Sequence, residues 1–285
     1  MPMEGVFTND LRNELIKNNC DLIIHSWKDL PLDVGKQTEV AITLDRADAR
    51  DLLFIKKNSI KKINEDSSIS IFSSSPRRQY NLESFVKNYL PFKIENIKFE
   101  DIRGNILTRF KKFLDGNVDG FVVAKAAIDR LLKADTNDFP DLRNNLFSNI
   151  SKCLWNVIPL SINPSSPGQG ALAVEIRSED TDLKKFLSEI NNEADYENVI
   201  LERKELQKYG GGCHQKIGIS FLNTHFGKLK YSKGENENGS AFYEKTIYKN
   251  HNLSSVKAKS CDEIFPADLS DYNFFNRVEI EKSNK

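Results

Sequence analysis

Four short polar signatures carry the residue types that can do chemistry. In chain order they are His25-Ser26-Trp27-Lys28-Asp29-Leu30-Pro31, Ser73-Ser74-Ser75-Pro76-Arg77-Arg78-Gln79, Arg103-Gly104-Asn105 with Arg109, and Gly210-Gly211-Gly212-Cys213. Together they supply one carboxylate beside a lysine, four arginines with serines, and one thiol on a glycine run. The planar guanidinium fork matches a carboxylate with two parallel bonds, so an arginine cluster points to an organic polyanion. A carboxylate beside it can move a proton or offset a developing cation. A thiol can anchor a group covalently.

Each signature also has an ordinary reading. Adjacent arginines are commonly a solvated surface pair. Here Ser75 reads as a helix N-cap and Pro76 as the first helical residue, so Arg77 and Arg78 fall in the first turn. The free N–H groups and partial positive charge there repel cations and attract anions, and a ligand anion would reconcile the two. Asn105 is a second cap with Arg109 one turn in, and Gly104 lets the backbone turn or approach a ligand closely. Asp29 before Leu-Pro is ordinarily a turn or capping residue. His25 sits in an apolar run and reads as a hydrogen-bonded core histidine. Buried packing is the common fate of a free cysteine, but a glycine-rich loop suits Cys213 poorly for it. No GxSxG elbow accompanies the four histidines, so no nucleophilic triad is expected. Pro167-Gly168-Gln169-Gly170 is a turn.

The elements that must hold these groups follow from periodicity. A helix is predicted over 9–17 and buried strands over 21–25 and 40–44, with 56–68 a polar Ser- and Lys-rich stretch. Strands over 69–72, 97–102 and 118–123 alternate with helices over 77–89, 106–114 and 126–132, which predicts a parallel sheet covered by helices. Functional residues at the carboxyl ends of such strands are the usual arrangement. Further strands are expected over 154–162 and 171–176, and helices over 181–191 and 193–209. Strands over 217–222, 228–232 and 241–248, with a charged turn over 233–240, predict a separate antiparallel sheet.

Length and composition narrow the function classes. A chain of 285 residues suggests two or three domains. Lysine plus arginine equals aspartate plus glutamate, 41 each, so there is no basic field for nucleic acid, and a local arginine cluster suits a small multiply charged anion. Cys20, Cys153, Cys213 and Cys261 are scattered, which argues against a disulfide framework or a metal site and fits a reducing, cytoplasmic setting. No apolar run reaches membrane-spanning length, and the first residues do not read as a signal peptide.

Taken in order, the segments from about Gly5 to Gly218 resemble porphobilinogen deaminase (hydroxymethylbilane synthase) of tetrapyrrole, including haem, biosynthesis. The matching residues are Phe7-Thr8, the run His25 to Pro31, Arg46 with Arg50-Asp51, the run Ser73 to Gln79, Arg103-Gly104-Asn105 with Thr108-Arg109, Ala124 through Leu131, Pro167 to Arg177, Glu202-Arg203, and Gly211-Gly212-Cys213. The resemblance implies an α/β fold: two α/β domains like those of periplasmic binding proteins and a small α+β C-terminal domain with an antiparallel sheet. The domains would be 1–44 with 159–191, then 45–158, then 192–285. It also implies a dipyrromethane cofactor joined to Cys213 and a transferase that condenses four porphobilinogens on that primer, releasing ammonia. A monomer is expected, with no nucleic-acid or membrane partner.

The resemblance further implies site roles. Asp29 corresponds to the catalytic aspartate. Arg77, Arg78, Arg103 and Arg109 correspond to binders of the pyrrole acetates and propionates. Ser26, Lys28, Ser73, Ser75 and Gln169 correspond to cofactor or substrate contacts. Trp27, Pro76 and Lys216 depart from the usual residues, as does Glu4 where the family has a lysine. The family has an opening strand–helix unit, whereas this sequence starts just before Gly5-Val6-Phe7, so the first domain is expected to be truncated. Two other readings stand beside an active deaminase: a silent relative that binds small anions, and a fragment of a longer enzyme.

Overall fold

The computed structural model describes residues 6–133, 140–210, 215–225 and 227–249. It is a mixed α/β protein built on three sheets. The first takes β1 (Leu22–Ser26), β8 (Leu172–Arg177) and β2 (Thr38–Ile42) in that order, all antiparallel. Helix α7 (Thr181–Ser188) lays Leu183 and Leu187 on Ile42, Val174 and Ile176, and α1 (Val6–Ile16) ties to β8 through Arg12 and the buried Glu175.

The second sheet has the order β5 (Asn96–Glu100), β4 (Ser68–Phe72), β6 (Gly120–Ala124), β3 (Asp51–Lys56), β7 (Cys153–Ile158). Its helices are α2 (Ile60–Asp66), α3 (Pro76–Tyr89), α4 (Ile106–Asp115), α5 (Lys125–Leu132) and α6 (Pro140–Ile150). The predicted parallel sheet is only half right: β5, β4 and β6 run parallel, but β3 and β7 run antiparallel to their neighbours. The reason is β3, which the periodicity does not mark. Its run Leu52-Leu53-Phe54-Ile55 has no alternation because both faces are covered. Leu53 and Ile55 pack under α3 with Leu82, Phe85 and Val86, while Leu52 and Phe54 pack against Phe110, Phe113 and Phe121 on the α4 side. The stretch expected to be merely polar, 56–68, holds α2, which buries Ile63 alone, and α6 is likewise unmarked in the sequence reading.

Both predicted caps form. Ser75 Oγ accepts from Arg78 N at 3.4 Å with Pro76 next in line, and Asn105 Oδ1 accepts from Thr108 N at 2.8 Å. Helix α8 (Glu193–Gln207) leads to the third sheet, β11 (Ala241–Lys249), β10 (Gly227–Glu235) and β9 (Gly218–Thr224), antiparallel as expected. Strand β10 runs on to Glu235, so the exposed turn is shorter than the predicted 233–240. The strand predicted over 154–162 stops at Ile158, before Pro159.

Two segments connect the first and second sheets: 43–50 leads from β2 to β3, and 159–171 leads from β7 back to β8. They lie side by side. Ala47 N donates to Gly170 O at 2.9 Å, Arg46 Nε to Gln169 O at 2.9 Å, and Gln169 Nε2 to Ala49 O at 2.6 Å. Gly170 adopts φ of 85°, and a Cβ there would fall 2.4 Å from Ala47 O, so only glycine permits this approach.

Glu202 of α8 joins this region to the third sheet. It is completely buried and accepts from Arg46 Nη1 at 2.8 Å, Arg46 Nη2 at 3.0 Å, Gly168 N at 2.9 Å and Phe221 N at 3.0 Å. Glu202→Gln strands a buried guanidinium and is expected to cost about 3–5 kcal/mol of stability. Urea denaturation reads this directly, and a loss below about 1 kcal/mol would show that Arg46 finds another partner.

Candidate active site

The first signature is shaped by its neighbours. Strand β1 ends at Ser26, and Trp27–Asp29 form a single 3₁₀ turn. Trp27 is buried and packs on Tyr196 at 5.3 Å between ring centroids. Arg203 of α8 donates to the carbonyls of Trp27 at 3.3 Å, Leu30 at 3.2 Å and Pro31, which clamps the turn from behind. Gly168, at φ of 77°, passes so close that a Cβ would lie 3.2 Å from Lys28 N. With its backbone held on both sides, the turn presents Lys28 and Asp29 to open space.

That space is two adjoining clefts. The larger, about 910 Å³, is lined by Ser26, Lys28, Asp29, Arg109 and Gln169, with Asp48, Asp129, Arg130 and Lys133 on the far wall. The smaller, about 290 Å³, is lined by Lys28, Ser75, Arg77, Arg203, Gly210 and Gln215. Lys28 belongs to both. Burial first, then the nearby Arg78 charge, hold its pKa below the ordinary lysine value against the pull of Asp29 and Asp51. Arg109 is lowered by burial and by the same Arg78 charge.

The predicted residues do not all converge. Ser26, Lys28, Asp29, Arg109 and Gln169 share the larger cleft, and Ser75 and Arg77 face the smaller one. Arg77 is nevertheless buried, with Nη1 given to Asn163 Oδ1 at 3.0 Å and Pro164 O at 2.8 Å, and Nη2 to Asp51 at 3.0 Å. Arg78 donates Nη2 to Asp51 at 2.7 Å and to Gln169 Oε1 at 3.3 Å, while its buried Nε has no partner. Ser73 is buried and serves its own loop, its Oγ accepting from Ser75 N at 3.4 Å. Arg103 is exposed and lines neither cleft. Cys213 lies outside the described residues, but Gly210 and Gln215, on either side of 211–214, both line the smaller cleft.

Sequence reasoning missed Asp51, Arg130 and Lys133. Helical spacing from the end of β6 would have found the last two, since Ala126, Arg130 and Lys133 share one face of α5. Charge partnering distinguishes the cleft cations. Asp48 pairs with Arg50 at 2.6 Å and Asp129 with Lys125 at 2.6 Å. Among the described residues, Lys28, Arg109, Arg130 and Lys133 have no carboxylate partner, and Asp29 has no hydrogen bond or ion pair. Four cations therefore make no ion pair, in a cleft whose carboxylates outside ion pairs are Asp29 and Asp45, the latter accepting from Asn192 Nδ2 at 2.8 Å.

A family model described as "Porphobilinogen deaminase, dipyromethane cofactor binding domain" matches residues 1–185. The probable porphobilinogen deaminase of Sulfurisphaera tokodaii is 31% identical over 80% of this chain and 71% of its own length. The probable porphobilinogen deaminase of Methanocaldococcus jannaschii is 35% identical over 75% of this chain and 64% of its own. The chain belongs to the porphobilinogen deaminase family.

A third relative, the porphobilinogen deaminase of Prochlorococcus marinus, is 29% identical over 76% of this chain and spans 61% of its own length in the match. The chain therefore spans between 61% and 71% of these deaminases. Among solved structures, a putative sulfonate ABC transporter protein, the periplasmic sulfonate-binding protein SsuA of Methylobacillus flagellatus, is matched at 15% identity over 70% of this chain and 53% of its own. Its TM-score is 0.34, so membership of the deaminase family rests on sequence alone. The dipyrromethane group named in the family model carries carboxylates, and the donor set fits it: cleft cations outside any ion pair among the described residues are what such a group would satisfy. Among the described residues no group of acidic, histidine or cysteine side chains could hold a metal ion, and no helix is long and apolar enough to cross a membrane.

Proposed function

We propose that this chain acts as a hydroxymethylbilane synthase, a transferase that joins four porphobilinogens on a dipyrromethane primer and releases ammonia at each addition. The observation that carries the reading is the cleft lined by Lys28, Arg109, Arg130 and Lys133, none of them in an ion pair among the described residues, together with Asp29, whose side chain makes no bond there. Asp29 is the proposed catalytic residue. Loss of ammonia leaves positive charge on the substrate's aminomethyl carbon, and an unpaired carboxylate beside it offsets that charge and can take the proton shed by the pyrrole. Lys28, Arg109, Gln169 and Ser26 are proposed to orient the acetate and propionate groups, with Ser75 and Arg77 on the smaller cleft; Arg78, which lines neither cleft, is proposed to act by its charge from behind Gln169. Arg130 and Lys133 join this set from the cleft geometry. For Ser73 and Arg103 the support is the family pattern alone. When bound, the dipyrromethane group supplies the pyrrole end to which substrate is joined, and Cys213 is its proposed anchor. A monomer in the cytoplasm fits this reading.

The test is to follow porphobilinogen loss and ammonia release together with purified protein. Equimolar loss and release with hydroxymethylbilane as product is the expected result. Binding without consumption would instead favour the silent anion-binding relative.

Lys28 gives the proposal a pH signature. Its pKa is lowered, so as pH rises it loses its charge, and its grip on a carboxylate, earlier than an ordinary lysine would. KM for porphobilinogen is expected to climb on an alkaline limb that starts below the ordinary lysine range. Lys28→Arg keeps its charge throughout and should move that limb upward. Superimposable limbs for the two proteins would remove Lys28 from the binding set.

A further inference from the structure

Beneath the two clefts lies Asp51, a fully buried carboxylate with four side-chain donors on it. Arg78 Nη2 and Gln169 Nε2 reach Oδ1 at 2.7 and 2.9 Å, and Arg77 Nη2 and Asn163 Nδ2 reach Oδ2 at 3.0 and 2.9 Å. Burial alone would push this carboxyl up. The charges of Arg78 and Arg77 and the bonds from Arg78 and Gln169 reverse that and hold it far below the ordinary carboxylate range. It is therefore an anion whenever the protein is folded near neutral pH.

The four donors come from two different places. Arg77 and Arg78 belong to the first turn of α3, whereas Asn163 and Gln169 belong to the segment returning from β7 to β8. The two arginines are used differently. Arg77 gives both terminal nitrogens to protein acceptors and is almost fully enclosed. Arg78 is held by Nη2 only, and its Nε is left without a partner. Two guanidiniums against one carboxylate leave one surplus positive charge. It is felt at the cleft cations Lys28 and Arg109, whose pKa values the Arg78 charge lowers.

We propose that Asp51 is a positioning residue: it locks Arg78 and Gln169 together as one rigid pair behind the wall of the larger cleft, which Gln169 lines, with Arg77 as a second cation on the same carboxylate. The proposal rests on the reading of this cleft as the site for substrate carboxylates. Gln169 then lines the larger cleft in a fixed pose, with the Arg78 charge held directly behind it, and a ligand carboxylate meets a preorganised wall. Arg77 lines the smaller cleft with both terminal nitrogens already engaged by the protein.

Asp51→Asn alone leaves two guanidiniums buried against no charge and can unfold the protein. The informative comparison is Arg77→Gln against Asp51→Asn/Arg77→Gln. The double variant removes one charge of each sign and restores the parent's net charge, so it should stay folded, with a thermal midpoint below that of Arg77→Gln, in which Arg78 and Asp51 still pair. Its KM for porphobilinogen should be about tenfold higher than that of Arg77→Gln, with kcat changed much less, because Arg78 has lost its anchor. Citrate, a simple polycarboxylate, gives a readout independent of turnover: the concentration needed for half of its thermal stabilisation should rise by a similar factor. If KM and the citrate midpoint match in the two variants, Asp51 is only structural and the proposal falls. If the parent protein consumes no porphobilinogen but the citrate difference persists, the synthase reading falls and the Asp51 assignment stands.

Discussion

Asp29→Asn is expected to leave the fold unchanged and to lower kcat by about a hundredfold or more, with KM near that of the parent. The side chain is exposed in the cleft and makes no bond among the described residues, so its loss removes nothing from the folded state. The amide has nearly the same shape but cannot offset the cation that forms when ammonia departs. Lys28→Ala should be milder in kcat, because Arg109, Arg130 and Lys133 remain to hold carboxylates. Steady-state kinetics with thermal melts of both variants check this. A kcat for Asp29→Asn comparable to the parent's would refute the assigned role.

Cys213→Ser is expected to abolish turnover entirely and to remove a covalent adduct of dipyrromethane size from the intact mass of the protein. The other thiols are poor candidates. Cys153 is buried in β7, where burial pushes its thiol up to about 11, so little thiolate forms near neutral pH. Cys20 follows α1, away from the residues lining either cleft. By contrast, Gly210 and Gln215, which flank 211–214 in the sequence, both line the smaller cleft with Lys28. Peptide mapping of the adduct decides the matter, and an adduct on Cys20, Cys153 or Cys261 would overturn the anchor.

What the sequence revealed depended on how local the physics was. The caps at Ser75 and Asn105 and the turn at Asp29 are set by residues within a few positions, and they form where spacing placed them. Arg77 and Arg78 do sit in the first turn of α3, against the helix dipole, which is a real electrostatic conflict. What resolves it for Arg77 is not a ligand but Asp51, 26 positions earlier and on another strand. No local pattern announces that pairing. Strand β3 escaped for a related reason, since a strand covered on both faces has no period to detect. Arg103 satisfies every local criterion for the site and still lies outside both clefts, because the direction of a side chain past Gly104 is decided by the loop around it.

The paired connections 43–50 and 159–171 carry one more implication. Walls joined by a single peptide tether could rotate freely about it, and gathering them around a long, flexible polyanion would forfeit that freedom with every binding event. Here the join is a ribbon of two antiparallel segments, stitched by the Ala47–Gly170 bond and by Gln169 onto Ala49. A ribbon bends across its width and resists shear and twist. Two stitched segments restrain the relative motion of the two sheets more than one tether would, so part of the entropy that closure would otherwise consume is surrendered during folding.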